Sequence, residues 1–208
     1  MDTTQQVILR MQRWVSGFIV ELNICPFALR EVRKQSIRYQ VCERQGDDAL
    51  YDAVSDELRR LTEHPEIETT LLILPHLDDD FEAFLNNAGL AQQVIALNNL
   101  SGTFQLANFH PHYVFTDSQA HVESTERSSL DDELSQGAHT SHCGHDAADY
   151  TNRAPHAALH LLREESVARA IHAHKNAELI PQMNVQRLRQ LGIANMRQRF
   201  TAILDTSD

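Results

Sequence analysis

Thr69-Thr70-Leu71-Leu72-Ile73-Leu74-Pro75 decides the fold of this 208-residue chain. Six residues without a charge, four of them large and apolar, end at a proline. That is the pattern of a strand buried on both faces, as in a sheet covered by helices. On its N-terminal side, Asp47 to Leu61 places Leu50, Val54, Leu58 and Leu61 on one helical stripe. On its C-terminal side, Asp78 to Leu100 reads as a second helix, with acidic residues at its start where the helix dipole favours them.

Further out, Ser36 to Cys42 (SIRYQVC) and Thr103 to Phe109 (TFQLANF) alternate in polarity like half-buried strands. Strand, helix, strand, helix, strand is a βαβαβ core, for which right-handed crossovers between parallel strands are expected. Residues 4–22 precede it as an amphipathic helix with apolar positions from Val7 to Leu22. Thr3 or Thr4 caps that helix, and Asn23-Ile24-Cys25-Pro26 stops it. Ala157 to Arg163 is predicted as a fourth strand and Glu164 to His174 as a helix. Asn176 is expected to cap a helix running to Leu191, with Gly192 as its stop and Pro181 tolerable only in its first turn; a short tail helix follows. The expectation is one α/β domain over residues 1–208, with an acidic, histidine-bearing, flexible insertion at 116–149.

Composition narrows the function. Twenty-nine acidic against eighteen basic residues give a net charge of −11. A field of that sign, with no basic stripe, disfavours phosphate-backbone contacts, so nucleic acid is not an expected partner. No apolar run approaches the ~18 residues of a membrane span, and no secretory leader is recognisable. Cys25, Cys42 and Cys143 are read as free thiols of a cytoplasmic protein. The oligomeric state is not legible.

Eight of the twelve histidines lie between His110 and His160. His110, in Phe109-His110-Pro111, falls at the expected carboxyl end of the third strand, where open α/β sheets bind ligands, and is read as a general acid or base. His139, His142, Cys143 and His145 supply ligand types suited to a divalent transition metal such as zinc. A polar loop without an outer shell of hydrogen bonds favours adventitious binding there over a built site. No other cofactor is indicated. Ala148 to Glu165 concentrates Tyr150, Asn152, Arg153 and His160 around the bend set by Pro155. Arg153 offers a bidentate fork to an anion, with Asn152 and Tyr150 beside it. Cys25 sits at the C-terminal end of a helix, where the dipole does not activate a thiol, so a catalytic role needs a cation from elsewhere.

Leu22-Asn23-Ile24-Cys25-Pro26-Phe27, Phe109-His110-Pro111 and Tyr150-Thr151-Asn152-Arg153-Ala154-Pro155, followed by Leu159-His160-Leu161-Leu162-Arg163-Glu164, closely resemble a bacterial family known only as domain of unknown function 1415. The resemblance covers nearly the whole chain and implies a single-domain bacterial protein, but no catalytic assignment. It also implies a shorter link where this chain has its insertion, an acidic residue at His112, and Tyr-Pro at His156-Ala157, which lowers both His112 and His156 as candidates. Cys25, His110, Asn152, Arg153 and His160 lie within the matching motifs. Two readings follow. The first is a small hydrolase or transferase acting on a small anionic molecule, with His110, Cys25 and His160 catalytic and Arg153, Asn152 and Tyr150 binding. The second is a non-enzymatic metal-binding or partner-binding protein.

Overall fold

The computed structural model describes residues 3–114 and 146–205. Helix α1 (Thr4–Trp14) starts at Thr3, whose side chain accepts from the Gln6 N–H while the Gln6 side chain returns the bond, a complete capping box. It runs on as a wider π-helical turn (Val15–Val20) before the chain turns at Asn23, in left-handed geometry, ahead of Pro26. A short helix that the pattern did not predict, α2 (Ala28–Lys34), fills the gap before the sheet.

The sheet elements then appear in the expected sequence: β1 (Ile37–Val41), α3 (Asp47–Glu63), β2 (Thr69–Ile73), α4 (Phe81–Leu97), β3 (Phe104–Phe109) and β4 (Ala158–Arg163). Every residue of β2 is buried, as its uncharged run predicted. The βαβαβ expectation needs one correction. Only β1 and β2 pair in parallel; β4 enters between β2 and β3 and runs antiparallel to both, giving the order β1-β2-β4-β3. The unit β2-α4-β3 is thus split by β4. Its residues Leu159 and Leu161 carry enough apolar surface for a central position, which a strand after the insertion was free to take.

Two cores lie on the two faces of this sheet. Leu72, Leu159, Leu161 and Phe104 pack against Leu50, Val54, Leu58 and Leu61 of α3 and Phe84, Ala91 and Ile95 of α4. Val41, Leu71, Ile73 and Ala158 face Met11, Trp14 and Phe18 together with the C-terminal helices. After β4 come α5 (Glu164–Ala173), α6 (Ile180–Leu191) and α7 (Ile193–Leu204). Pro181 falls in the first turn of α6, where its missing N–H costs nothing. Asn176 adopts left-handed geometry without a capping bond, so the predicted cap there is not formed.

Two sets of side-chain bonds clamp motif segments to the body of the fold. Asn184 of α6 donates to the Ile24 carbonyl, and Arg187 to the Leu22 and Asn23 carbonyls, which fixes the turn before Cys25. Arg163 donates to the carbonyls of Leu61 and Ile67 and lies over the Phe104 ring, closing the end of α3. Both uses satisfy carbonyls that helix ends leave without partners.

Candidate functional site

Register sets the location. Ile73 at the end of β2 pairs with Ala158, and Ala158 also pairs with Phe109 at the end of β3. The segments beyond these three residues therefore share one rim, at the carboxyl ends of the parallel-running strands. From β2 comes a 3₁₀ turn (Pro75–Leu77) leading to Asp78. From β3 comes His110, and into β4 leads His156.

Asp78 spans the rim. Its Oδ2 lies 2.7 Å from His156 Nδ1, and its Oδ1 accepts the Ala157 N–H at 2.7 Å. A carboxylate only accepts, so the proton of a neutral His156 ring sits on Nδ1 and Nε2 presents a lone pair. His156 is only 5% exposed. Its Nε2 is buried and finds no hydrogen-bond partner among the described residues. A buried polar atom left in that state is costly in a structure and calls for a partner such as a water, an ion or a ligand. The arrangement is that of an imidazole base oriented by a carboxylate.

His76, on the same turn as Asp78, also has a buried Nδ1 without a partner. Burial pushes its imidazole below the ordinary range, against the pull of the Asp78 charge. Among the described residues, no group of three or more His, Cys, Asp or Glu side chains is placed to hold a metal ion. His139, His142, Cys143 and His145 lie outside the described residues.

His110 has a different part from the one its position suggested. It is fully buried, its Nε2 lies 2.9 Å from the Leu77 carbonyl, and its Nδ1 accepts the His112 N–H at 3.0 Å. Both nitrogens are therefore used by the backbone. The ring packs against Phe81 and Phe84, and burial pushes its pKa down, which keeps it neutral. In this arrangement His110 ties the end of β3 to the turn after β2, with no nitrogen left for a substrate or a metal.

The remaining candidates are dispersed. Arg153 Nε donates to the Tyr113 carbonyl at 2.8 Å, its Nη2 lies 3.1 Å from Asp149 Oδ2, and its guanidinium stacks on the Tyr150 ring. Its fork grips Tyr113, just before the 116–149 segment, and Asp149, the last residue of that segment. Tyr150 is a core residue against Phe18 and Phe200, and the Asn152 carbonyl accepts the His110 N–H. His160 is mid-strand, with Nε2 2.7 Å from Thr69 Oγ1, and burial pushes its pKa down to about 4. Cys25 packs on the core of the α1 face, while His110 packs against Phe81 and Phe84 of the α4 face. The sheet thus stands between Cys25 and His110, and the grouping of Cys25, His110 and His160 is not assembled.

The sequence pattern of one family matches residues 6–130 and 138–198. The chain belongs to the DUF1415 family, described as a protein of unknown function. The match is broken only between residues 130 and 138, so His139 to His145 fall inside it. The matched ranges thus take in most of the 116–149 segment. No curated protein and no solved structure matches the chain. Asp78 and His156, which the motifs did not single out, are the pair that this chain's fold brings together. A signal was present. Asp78 follows the proline that ends β2, a strand's carboxyl end, yet it reads equally well as a favourable charge at the start of α4.

Proposed function

We propose that this protein is an enzyme in which His156, oriented by Asp78, acts as general base and then general acid in a hydrolytic or group-transfer reaction. The observation that carries this reading is the buried, unpartnered Nε2 of His156, on a ring whose other nitrogen is fixed by a carboxylate. Such a pair removes a proton from water or from a substrate hydroxyl or amine at Nε2 and returns it to the leaving group. Positioned proton transfer of this kind contributes roughly 10²–10⁴ in rate.

The charge around the pair favours a neutral or cationic reacting group over the anionic one first expected. Asp79 is fully exposed and Asp80 and Glu82 adjoin it, while the Arg153 fork is engaged by Asp149 and Tyr113. A cytoplasmic setting is supported by the free thiols of Cys25 and Cys42 and by the lack, among the described residues, of any helix long and apolar enough to cross a membrane.

The test combines a screen of the purified chain against ester, amide and phosphoester substrates with chemical modification of histidine. An activity abolished in His156→Gln, with modification of His156 blocked by the same substrate, supports the reading. An activity that survives in His156→Gln refutes it.

A further inference from the structure

We infer that the outer edge of β1 and the groove between it and α1 dock an extended, acidic peptide, added to the sheet as a fifth strand. β1 is an edge strand. In a parallel ladder, alternate residues of a strand point both backbone groups at the neighbour. The Ser36 carbonyl and the Cys42 N–H bond to β2. Arg38 and Gln40 therefore face β2 as well, and the peptide groups of Ile37 and Tyr39 face outward. Among the described residues these outward groups have no backbone partner. Two donor–acceptor pairs spaced two residues apart are what an incoming strand requires.

The edge is also shaped to receive side chains. A hollow of about 340 Å³ runs along it, lined by Ile8 and Gln12 of α1, by Ile37 and Tyr39 of β1, and by Ile67. Ile8 and Gln12 are one helical turn apart on the same face, so a helix forms one wall and the strand edge the other. This hollow lies at the amino ends of β1 and β2, the end of the sheet opposite Asp78 and His156. Burial pushes the Tyr39 phenol up to about 12, so its hydroxyl stays a neutral donor. Strand edges left open are normally blunted by charge, proline or a bulge, and β1 has no proline.

Charge selects the partner. The chain carries −11 overall, yet residues 30–38 hold Arg33 and Lys34 besides Arg30, which pairs with Glu31, and Arg38, which pairs with Glu57. Arg33 and Lys34 are exposed and directly precede Gln35, which lines the hollow. A basic spot beside an open strand edge, on an otherwise acidic protein, complements acidic residues flanking an apolar extended segment.

The experiment measures fluorescence polarisation of a labelled Thr-Val-Thr-Val-Asp-Asp peptide, with a counterpart ending in two lysines as control, on the full chain. The acidic probe is expected to bind, with affinity falling as salt rises, and about tenfold tighter than the lysine probe. Replacing Arg33 and Lys34 together by Glu, both exposed, is expected to remove that preference. Ile37→Pro removes one outward donor without touching the ladder to β2, and is expected to weaken both probes. Equal binding of the two probes overturns the proposal, as does no binding at roughly millimolar peptide. Self-association dispersed by Ile37→Pro also overturns it, because the occupant is then a second copy of this chain.

Discussion

Asp78 and His156 meet at 2.7 Å across 78 residues of chain, and the same carboxylate holds the N–H of Ala157. One side chain thus fixes both the ring of His156 and the first backbone group leading into the central strand β4. If Asp78 orients a working imidazole, Asp78→Asn keeps the bond to Ala157 but offers an amide in place of an acceptor-only carboxylate. The expected outcome is loss of the single Nδ1–H tautomer of His156, read by ¹⁵N NMR of the ring. Any rate the chain supports is expected to fall roughly 10²-fold or more. An unchanged tautomer removes Asp78 from the role.

His110 tests the opposite case. Both of its nitrogens bond to backbone, and its ring fills space against Phe81 and Phe84. His110→Ala leaves the Leu77 carbonyl and the His112 N–H unsatisfied and opens a cavity. Urea denaturation is expected to show a loss of about 2–4 kcal/mol. A loss below about 0.5 kcal/mol, with activity abolished, returns His110 to the catalytic list.

Arg153 and Asp149 form a buried pair, with side chains 12% and 1% exposed. Removing the arginine takes the ion-pair partner from a buried carboxylate, so Arg153→Ala is expected to cost about 3–5 kcal/mol. Replacing both residues by apolar ones of similar size, Arg153→Met with Asp149→Leu, is expected to recover much of that loss. A double-mutant cycle measures it. Additive losses show that the two do not act together.

Acid weakens this fold in part through His160. Burial moves its pKa from 6.5 in the ordinary case to about 4. The unfolded chain then takes up a proton at this site before the folded chain does. The contribution is whole above about pH 6.5 and is lost as the pH falls toward 4, up to roughly 3 kcal/mol. His160→Leu removes the titrating group while Thr69 keeps its bond to the Leu161 carbonyl. Urea midpoints at successive pH values are expected to fall less steeply for the variant between pH 6.5 and 4. Parallel curves show that His160 does not titrate there.

The sequence by itself determined the elements. The uncharged run of β2, the leucine stripe of α3, the capping threonine and Pro181 in a first turn each depend on residues a few positions apart, and each is where the pattern put it. Family membership was equally legible, because the three motifs are contiguous. What the motifs do was not. Arg153, Arg163 and His110 look like chemistry, but their hydrogen bonds go to backbone groups and to one buried carboxylate, and only packed geometry reveals a bond's destination. The tertiary structure alone decided that β4 enters between β2 and β3, since strand partners are chosen by burial over the whole sheet and leave no local mark. That insertion carries His156 to Asp78. A pair formed by two residues in separate, unremarkable contexts has no spacing to read, so the rim they share exists only once the chain has folded.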